Sequence, residues 1–479
     1  MPEKWQLVSW QNKDEQASRI PKGWLLSSPP PDSTNYITEK YDATALAHEI
    51  SNRRLKSFNV VKAFCKRAAI AHQLTNCLAE ILFDEALAGN PPIGPLHGVP
   101  VSLKDTFKIP GYDASIDKRS ATLMAPDSHN NVFGRVLNPY NTVVGGSSGG
   151  EGALIAMRGS VLSVGTDVGG SIRIPAMCNG LYGIKPSWQR IPYARQESGV
   201  LPGSSKMALP ASAGPLAHCM RDLELFFSAV SSQSPWEIDP DVLPSPWMSL
   251  STISKSCPTI GIVRRDGVID PLPPIQHLLD EVVSTLRASK IEVVEMDITP
   301  LFSQCQSLAN ALFSIDGGNN MFDLLEQTSE PLSPWLSTRL KRMAPKTLDQ
   351  DRSGRRRSID AFICPVAPHP VPPIDRWNSV SYTSSFVPLD YPAGVIPVRM
   401  FGAKDMQGEV LDTPPLSVFC LRSWTGTKVD RSTYLNTPLS IQVVAPRLQE
   451  RRLCHAMEIV DAALKSEQAG GGKRRGANL

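Results

Sequence analysis

The chain has 479 residues, of which 41% are hydrophobic and 20% charged, with 49 Lys and Arg against 46 Asp and Glu for a net charge of +3. This length suits one large domain or up to about three ordinary ones, and the composition excludes a disordered or fibrous chain. A charge so near neutral gives no footprint for nucleic acid or anionic lipid, no stretch approaches the roughly 20 apolar residues of a spanning helix, and Met1 to Arg19 is too polar to read as a secretory signal.

In chain order, residues 1–40 are polar and Pro-rich around Ser28-Pro29-Pro30-Pro31, and read as an extended arm over the surface. From Thr44 to Leu87 the pattern is helical, with Val60, Val61, Phe64, Ala68 and Ala71 at the spacing of one buried face. Val99–Leu103 is short, apolar and bounded by Gly and Pro, which predicts a buried strand with Lys104 at its end. Glu151 to Met157 reads as a helix and Val161 to Val164 as a strand. Ile260–Arg264, Pro274–Ser289 and Ile291–Met296 form a strand-helix-strand unit of the α/β kind. Ala361–Pro365 and Leu439–Val444 are further buried-strand candidates. The Gly-rich basic tail from Gln468 reads as flexible. The expected organisation is an arm over 1–40, one α/β domain over 41–465 with a mixed twisted sheet covered by helices, and a tail over 466–479.

The nine cysteines are scattered, without a CxxC pair or Cys/His cluster, which favours reduced thiols in a cytoplasmic protein over a disulfide framework. The eight histidines are equally dispersed and suggest no metal site.

Residues 145–186 hold the densest glycine in the chain. Gly145-Gly146-Ser147-Ser148-Gly149-Gly150-Glu151 is followed by Gly165-Thr166-Asp167-Val168-Gly169-Gly170-Ser171-Ile172-Arg173. Glycine lets the backbone approach a ligand, and successive N–H groups in such turns form an anion-binding nest. A nest beside a serine hydroxyl supplies what acyl transfer needs, a nucleophile and donors for the oxyanion. A phosphate-binding loop would need a terminal Gly-Lys-Ser/Thr, which is missing. A nucleophile elbow matches Gly145–Gly149 with Ser147 central, but it needs a preceding buried strand and a partner histidine. Nothing marks His218, His277, His369 or His455 for that part.

These blocks, with the upstream Gly-Val-Pro-Val-Ser-Leu-Lys-Asp ending at Asp105, Gly183-Ile184-Lys185-Pro186-Ser187 and Ser212-Ala213-Gly214-Pro215-Leu216, resemble the amidase-signature family. The likeness runs from about Thr44 to about Leu464 and is nearest to fungal acetamidase-type enzymes. It implies the amidase-signature fold and hydrolysis of a carboxylic amide, with small aliphatic or aryl carboxamides as substrates. It further implies a Ser-Ser-Lys triad and an acyl-enzyme: Ser171 as nucleophile, Ser147 as the bridging serine with a cis peptide before it, and Lys104 as base. The N–H groups of Val168, Gly169, Gly170 and Ser171 would form the oxyanion hole beside Ser147. No cofactor, metal, nucleic acid or membrane is required, and a homodimer is compatible with the likeness. Asp167 and Arg173 read as a buried structural ion pair, Ser148 and Glu151 as shaping the loop and helix start, and Cys178 as a packing residue.

The chain departs from the family pattern in places. Ile116-Asp117-Lys118-Arg119-Ser120-Ala121-Thr122 joins two family-like blocks abruptly where relatives carry a helix and a strand, much of a crossover unit of roughly 30 residues. Similar joins fall at Ala88–Pro91 and Gln350–Arg357, and Ser163 stands where relatives tend to have glycine. Two rival readings follow: a truncated homologue with impaired or no activity, and an esterase built on Ser147.

Overall fold

The computed structural model describes residues 2–26, 32–89, 94–112, 126–140, 142–194, 209–247, 257–313, 319–332, 337, 341–343, 360–377, 379–408, 424 and 430–475. The expected joins at 116–122 and 350–357, the Ser28–Pro31 run and the last four residues of the tail lie outside these, as do Asn90 and Pro91 of the join at Ala88–Pro91.

Nine strands make one mixed sheet: β1 Val101–Leu103, β2 Leu162–Asp167, β3 Tyr182–Lys185, β4 Ser212–Ala217, β5 Ile260–Ile262, β6 Val293–Glu295, β7 Ala361–Pro365, β8 Ala393–Met400 and β9 Pro438–Val444. Their spatial order is β1-β2-β4-β3-β8-β9-β7-β5-β6. The pairs β1·β2, β5·β6 and β5·β7 are parallel, and the central pairs are antiparallel. The parallel unit β5-helix-β6, with its helix at Pro273–Ala288, matches the periodicity of the sequence closely. The central strands β2, β3, β4, β7 and β9 are buried along their whole length. That burial erases the alternation by which β3 and β4 could be read from sequence.

Three expectations are corrected. The arm is not extended: Lys4–Arg19 and Asp32–Lys40 are helices. Glu3 and Gln6 box the start of the first. Ser9 Oγ donates to Val132 O at 2.7 Å and Gln16 Nε2 to Ala79 O at 2.7 Å, so polar side chains tie this helix down where few apolar ones exist. The helical stretch 44–87 is three helices, Ala43–Ser51, Ser57–Thr75 and Phe83–Leu87. Asp42 caps the first, its carboxylate accepting from Ala45 N at 2.9 Å, and Asn76 in the left-handed region ends the second. The tail continues the last helix, Glu450–Arg475. The buried face of Leu453, Met457, Val460 and Leu464 nucleates it, and each further residue then adds one backbone bond at little cost.

The strand predicted at Val99–Leu103 forms over Val101–Leu103, but at the sheet edge, with Val101 37% and Leu103 43% exposed. Among the described residues it pairs on one side only, with β2. Ser163 finds its physical reason here: in register with Ser102, its buried hydroxyl bonds the Ser102 hydroxyl across the two strands.

Candidate active site

Register brings the lysine to the glycine-rich loops. Leu103 pairs with Val164, and the Lys104 N–H donates to Val164 O at 2.9 Å, so Lys104 leaves β1 beside the end of β2. Its side chain is 5% exposed. The ammonium nitrogen lies 2.7 Å from Ser147 Oγ, 2.9 Å from Thr166 Oγ1 and 3.4 Å from Thr166 O. In the neutral amine the two hydrogens can go to the two Thr166 oxygens, which turns the lone pair toward Ser147. Thr166 was missed in the sequence. The only signal for it is the parallel pairing of β1 with β2, which no local pattern announces.

Burial pulls the Lys104 pKa down to about 8, against the opposing fields of Glu151 and Asp167. Burial likewise raises the Glu151 carboxyl, and the nearby lysine pulls it back. Glu151 sits in the first turn of the helix Gly149–Ala156 and is 9% exposed. Both groups are thus held near the pH range in which proton transfer is useful.

Ser147 follows a cis Gly146–Ser147 peptide and precedes that helix. Gly145 ahead of it has φ +82°, and a Cβ there would stand 2.9 Å from the Pro175 backbone, so the turn admits only glycine. No strand leads into Ser147 among the described residues, and Lys104 is its side-chain partner. The histidines offer no alternative: His218 bonds Ile155 O, and burial lowers its pKa to about 4. His369 packs edge-on to Trp377 and is lowered likewise to about 4 by burial. The nucleophile-elbow reading therefore lacks its strand, and no histidine is bonded to Ser147 among the described residues.

Ser171 lies between β2 and the helix Arg173–Asn179. The Ser148 N–H donates to Ser171 O at 3.1 Å, which joins the two serine loops by their backbones. No hydrogen bond links Ser147 Oγ to Ser171 Oγ among the described residues. The structure therefore brings Lys104 and Ser147 into contact, joins Ser171 to the Ser147–Ser148 loop through its backbone carbonyl, and leaves the Ser171 hydroxyl without a hydrogen bond among the described residues. Catalytic hydrogen bonds often tighten only when substrate binds.

The Ser171 loop is organised by Asp167. Its carboxylate accepts from Gly170 N at 2.7 Å and Ile172 N at 3.1 Å, and pairs with Arg173 through Nε at 3.0 Å and Nη2 at 3.1 Å. Both side chains are within 1% of complete burial. Burial alone would raise the Asp167 pKa, and the Arg173 charge overcomes it, leaving about 2. Arg173 reaches on to Gln442 of β9 at 3.3 Å. One expectation changes here: the Gly170 N–H is committed to Asp167 and is not a free oxyanion donor. The N–H groups of Val168, Gly169 and Ser171 carry no such bond among the described residues. Gly170 has φ +138°, and a Cβ there would meet Thr383 Oγ1 at 2.6 Å, so its place in the loop is conformational.

Cys178 is fully buried, and burial raises its thiol well above the ordinary value, as befits packing. Among the described residues, Asp42, Cys219 and Asp222 lie close enough to share a metal ion. Their carboxylates already serve helix Ala43–Ser51 and Arg221. No helix of the described residues is long and apolar enough to cross a membrane.

The profile of the family described as Amidase matches residues 59–116 and 118–454. The interruption falls inside the join at Ile116–Thr122. The acetamidase of Aspergillus oryzae is 31% identical over 536 aligned positions, which cover 97% of this chain and 96% of that protein. The acetamidase of Emericella nidulans is 29% identical over 552, covering 97% and 99%. Both alignments are longer than the 479 residues of the chain, so these relatives carry positions that it lacks. Among solved structures, a fatty acid amide hydrolase aligns at TM-score 0.79 and 26% identity, covering 96% of this chain and 95% of its own.

Proposed function

Since the chain belongs to the amidase-signature family and is a hydrolase acting on amide bonds, we propose that it cleaves small aliphatic or aryl carboxamides to the acid and ammonia, using Ser171, Ser147 and Lys104. The observation that carries this reading is the 2.7 Å contact between Lys104 Nζ and Ser147 Oγ, with Thr166 holding the other side of the amine. Neutral Lys104 takes the Ser147 proton as Ser147 takes that of Ser171. Ser171 Oγ attacks the amide carbon, and the N–H groups of Val168, Gly169 and Ser171 receive the oxyanion. Collapse breaks the C–N bond, and the proton returns through Ser147 to the leaving nitrogen. Water then enters, gives its proton to the same relay and releases the acid from Ser171. The acetamidase names of the relatives support small amides.

The test is ammonia release from acetamide and benzamide by a folded, monodisperse sample. Turnover of either supports the reading. A folded sample that turns over neither favours the rival of an impaired homologue, for which the one-sided β1 and the interrupted family match speak.

A pH profile follows from the lysine. Because the base works only when neutral, kcat/KM should rise with pH through an acid limb centred near the Lys104 value of about 8. The Glu151 charge holds that value up, so Glu151→Gln should move the limb to lower pH. An unmoved limb would detach Glu151 from the base.

A further inference from the structure

A cleft of about 1050 Å³ opens to solvent beside the relay. Lys104 and Ser147 border it but none of Val168–Ser171 does, so it reaches the lysine from the side away from the nucleophile loop. Val61, Phe64, Leu82, Phe83 and Phe107 supply apolar walls, and the edge of β1 supplies another, with Leu103 facing it. The cleft also carries polar groups: Ser147 in contact with the lysine, Glu151 close enough to act on its charge, and Thr106. Thr106 is 3% exposed, and among the described residues its Oγ1 has no hydrogen-bond partner. His129 Nδ1, which also lines the cleft, has none among them either. Buried polar atoms are nearly always paired, so two orphans on one cavity point to a ligand that supplies the partners. The family match breaks between Tyr112 and Ser128, and both of these residues line the cleft.

Apolar walls with a few convergent polar groups are the usual build of a small-molecule site, and this volume is at the upper end of the usual range. We propose that the cleft is a second binding site, taking a medium-chain apolar molecule with a small neutral head that both donates and accepts a hydrogen bond. The head sits at Thr106, and the chain lies along β1 and the phenylalanines. A neutral head follows from the pairing of an amine with a carboxyl at that end. A charged head of either sign would be attracted by one and repelled by the other, whereas a hydroxyl can both donate to and accept from the unpartnered Thr106 Oγ1.

The probe is decanol, titrated into the full chain by calorimetry and followed in parallel by thermal unfolding. The readout is binding, so it stands apart from whether the enzyme turns over amides. Saturable binding near one equivalent is expected, with a melting midpoint that climbs with decanol concentration. Leu103→Asp should weaken binding about tenfold or more by placing a charge on the apolar wall, and Phe58→Glu at the exposed rim serves where that variant does not fold. Leu301→Asp, on an exposed position outside the cleft, should bind as the parent does. Decanoate and decylamine should bind more weakly than decanol. Unsaturable partitioning, equal affinity in the cleft variants, or tighter binding of either charged analogue would overturn the proposal.

Discussion

Ser171→Ala is expected to lower kcat for acetamide by about 10⁴-fold or more, with the melting midpoint within a degree or two of the parent. The structure gives both halves of that expectation. Ser171 is half-buried at the mouth of the loop, and its hydroxyl carries no structural hydrogen bond among the described residues, so removing it costs the fold little. The proposed relay makes its hydroxyl the group that attacks, which accounts for the loss of turnover. Ser147→Ala should differ in kind. It breaks the relay while leaving the nucleophile, so a serine-reactive fluorophosphonate should still label Ser171 slowly in Ser147→Ala and not at all in Ser171→Ala. Mapping the label by mass spectrometry checks both. A label at Ser147 with none at Ser171 would sink the assignment and revive the esterase reading.

The second large effect is one of folding. Asp167→Asn should destabilise the protein by about 3–5 kcal/mol, because it leaves Arg173 as a buried charge without its counter-ion. Against a total stability of roughly 5–15 kcal/mol that is a severe loss. The same change loosens the nucleophile loop. The Asp167 carboxylate takes the N–H groups of Gly170 and Ile172, and an amide cannot accept on both of its heavy atoms. Activity should therefore fall about 100-fold even in the molecules that remain folded.

Acid pH provides the check on mechanism. The folded pKa of Asp167 lies near 2, below its ordinary 3.8, so its contribution is fully present above about pH 4 and is lost as pH falls through about 2. Urea midpoints for parent and variant should converge over that interval. A gap that stays constant down to pH 2 would mean that the ion pair is not its source.

The glycine-rich blocks around Ser147 and Ser171 were legible from sequence because their chemistry is local. Each depends on residues adjacent in the chain, and glycine betrays the tight turns that carry them. The strand-helix-strand unit from Ile260 was legible for a similar reason, its hydrophobic period being intact. The helices at Lys4–Arg19 and in the tail were not. The first is fastened by long-range polar bonds from Ser9 and Gln16, and the second prolongs a helix whose apolar anchor lies further upstream. Local composition reports neither cause.

By itself the sequence singled out three residues, Lys104, Ser147 and Ser171, and the kind of loops on which the serines sit. Tertiary structure alone decided how Lys104 and Ser147 meet. The parallel register of β1 with β2 sets Lys104 between Ser147 and Thr166. The Asp167–Arg173 pair takes the Gly170 N–H out of the donor set. The edge position of β1 leaves the lysine with a cleft at its back. These outcomes depend on which distant segments share a surface, and on how far that surface excludes water from a charge. Neither is a property of any short stretch of chain.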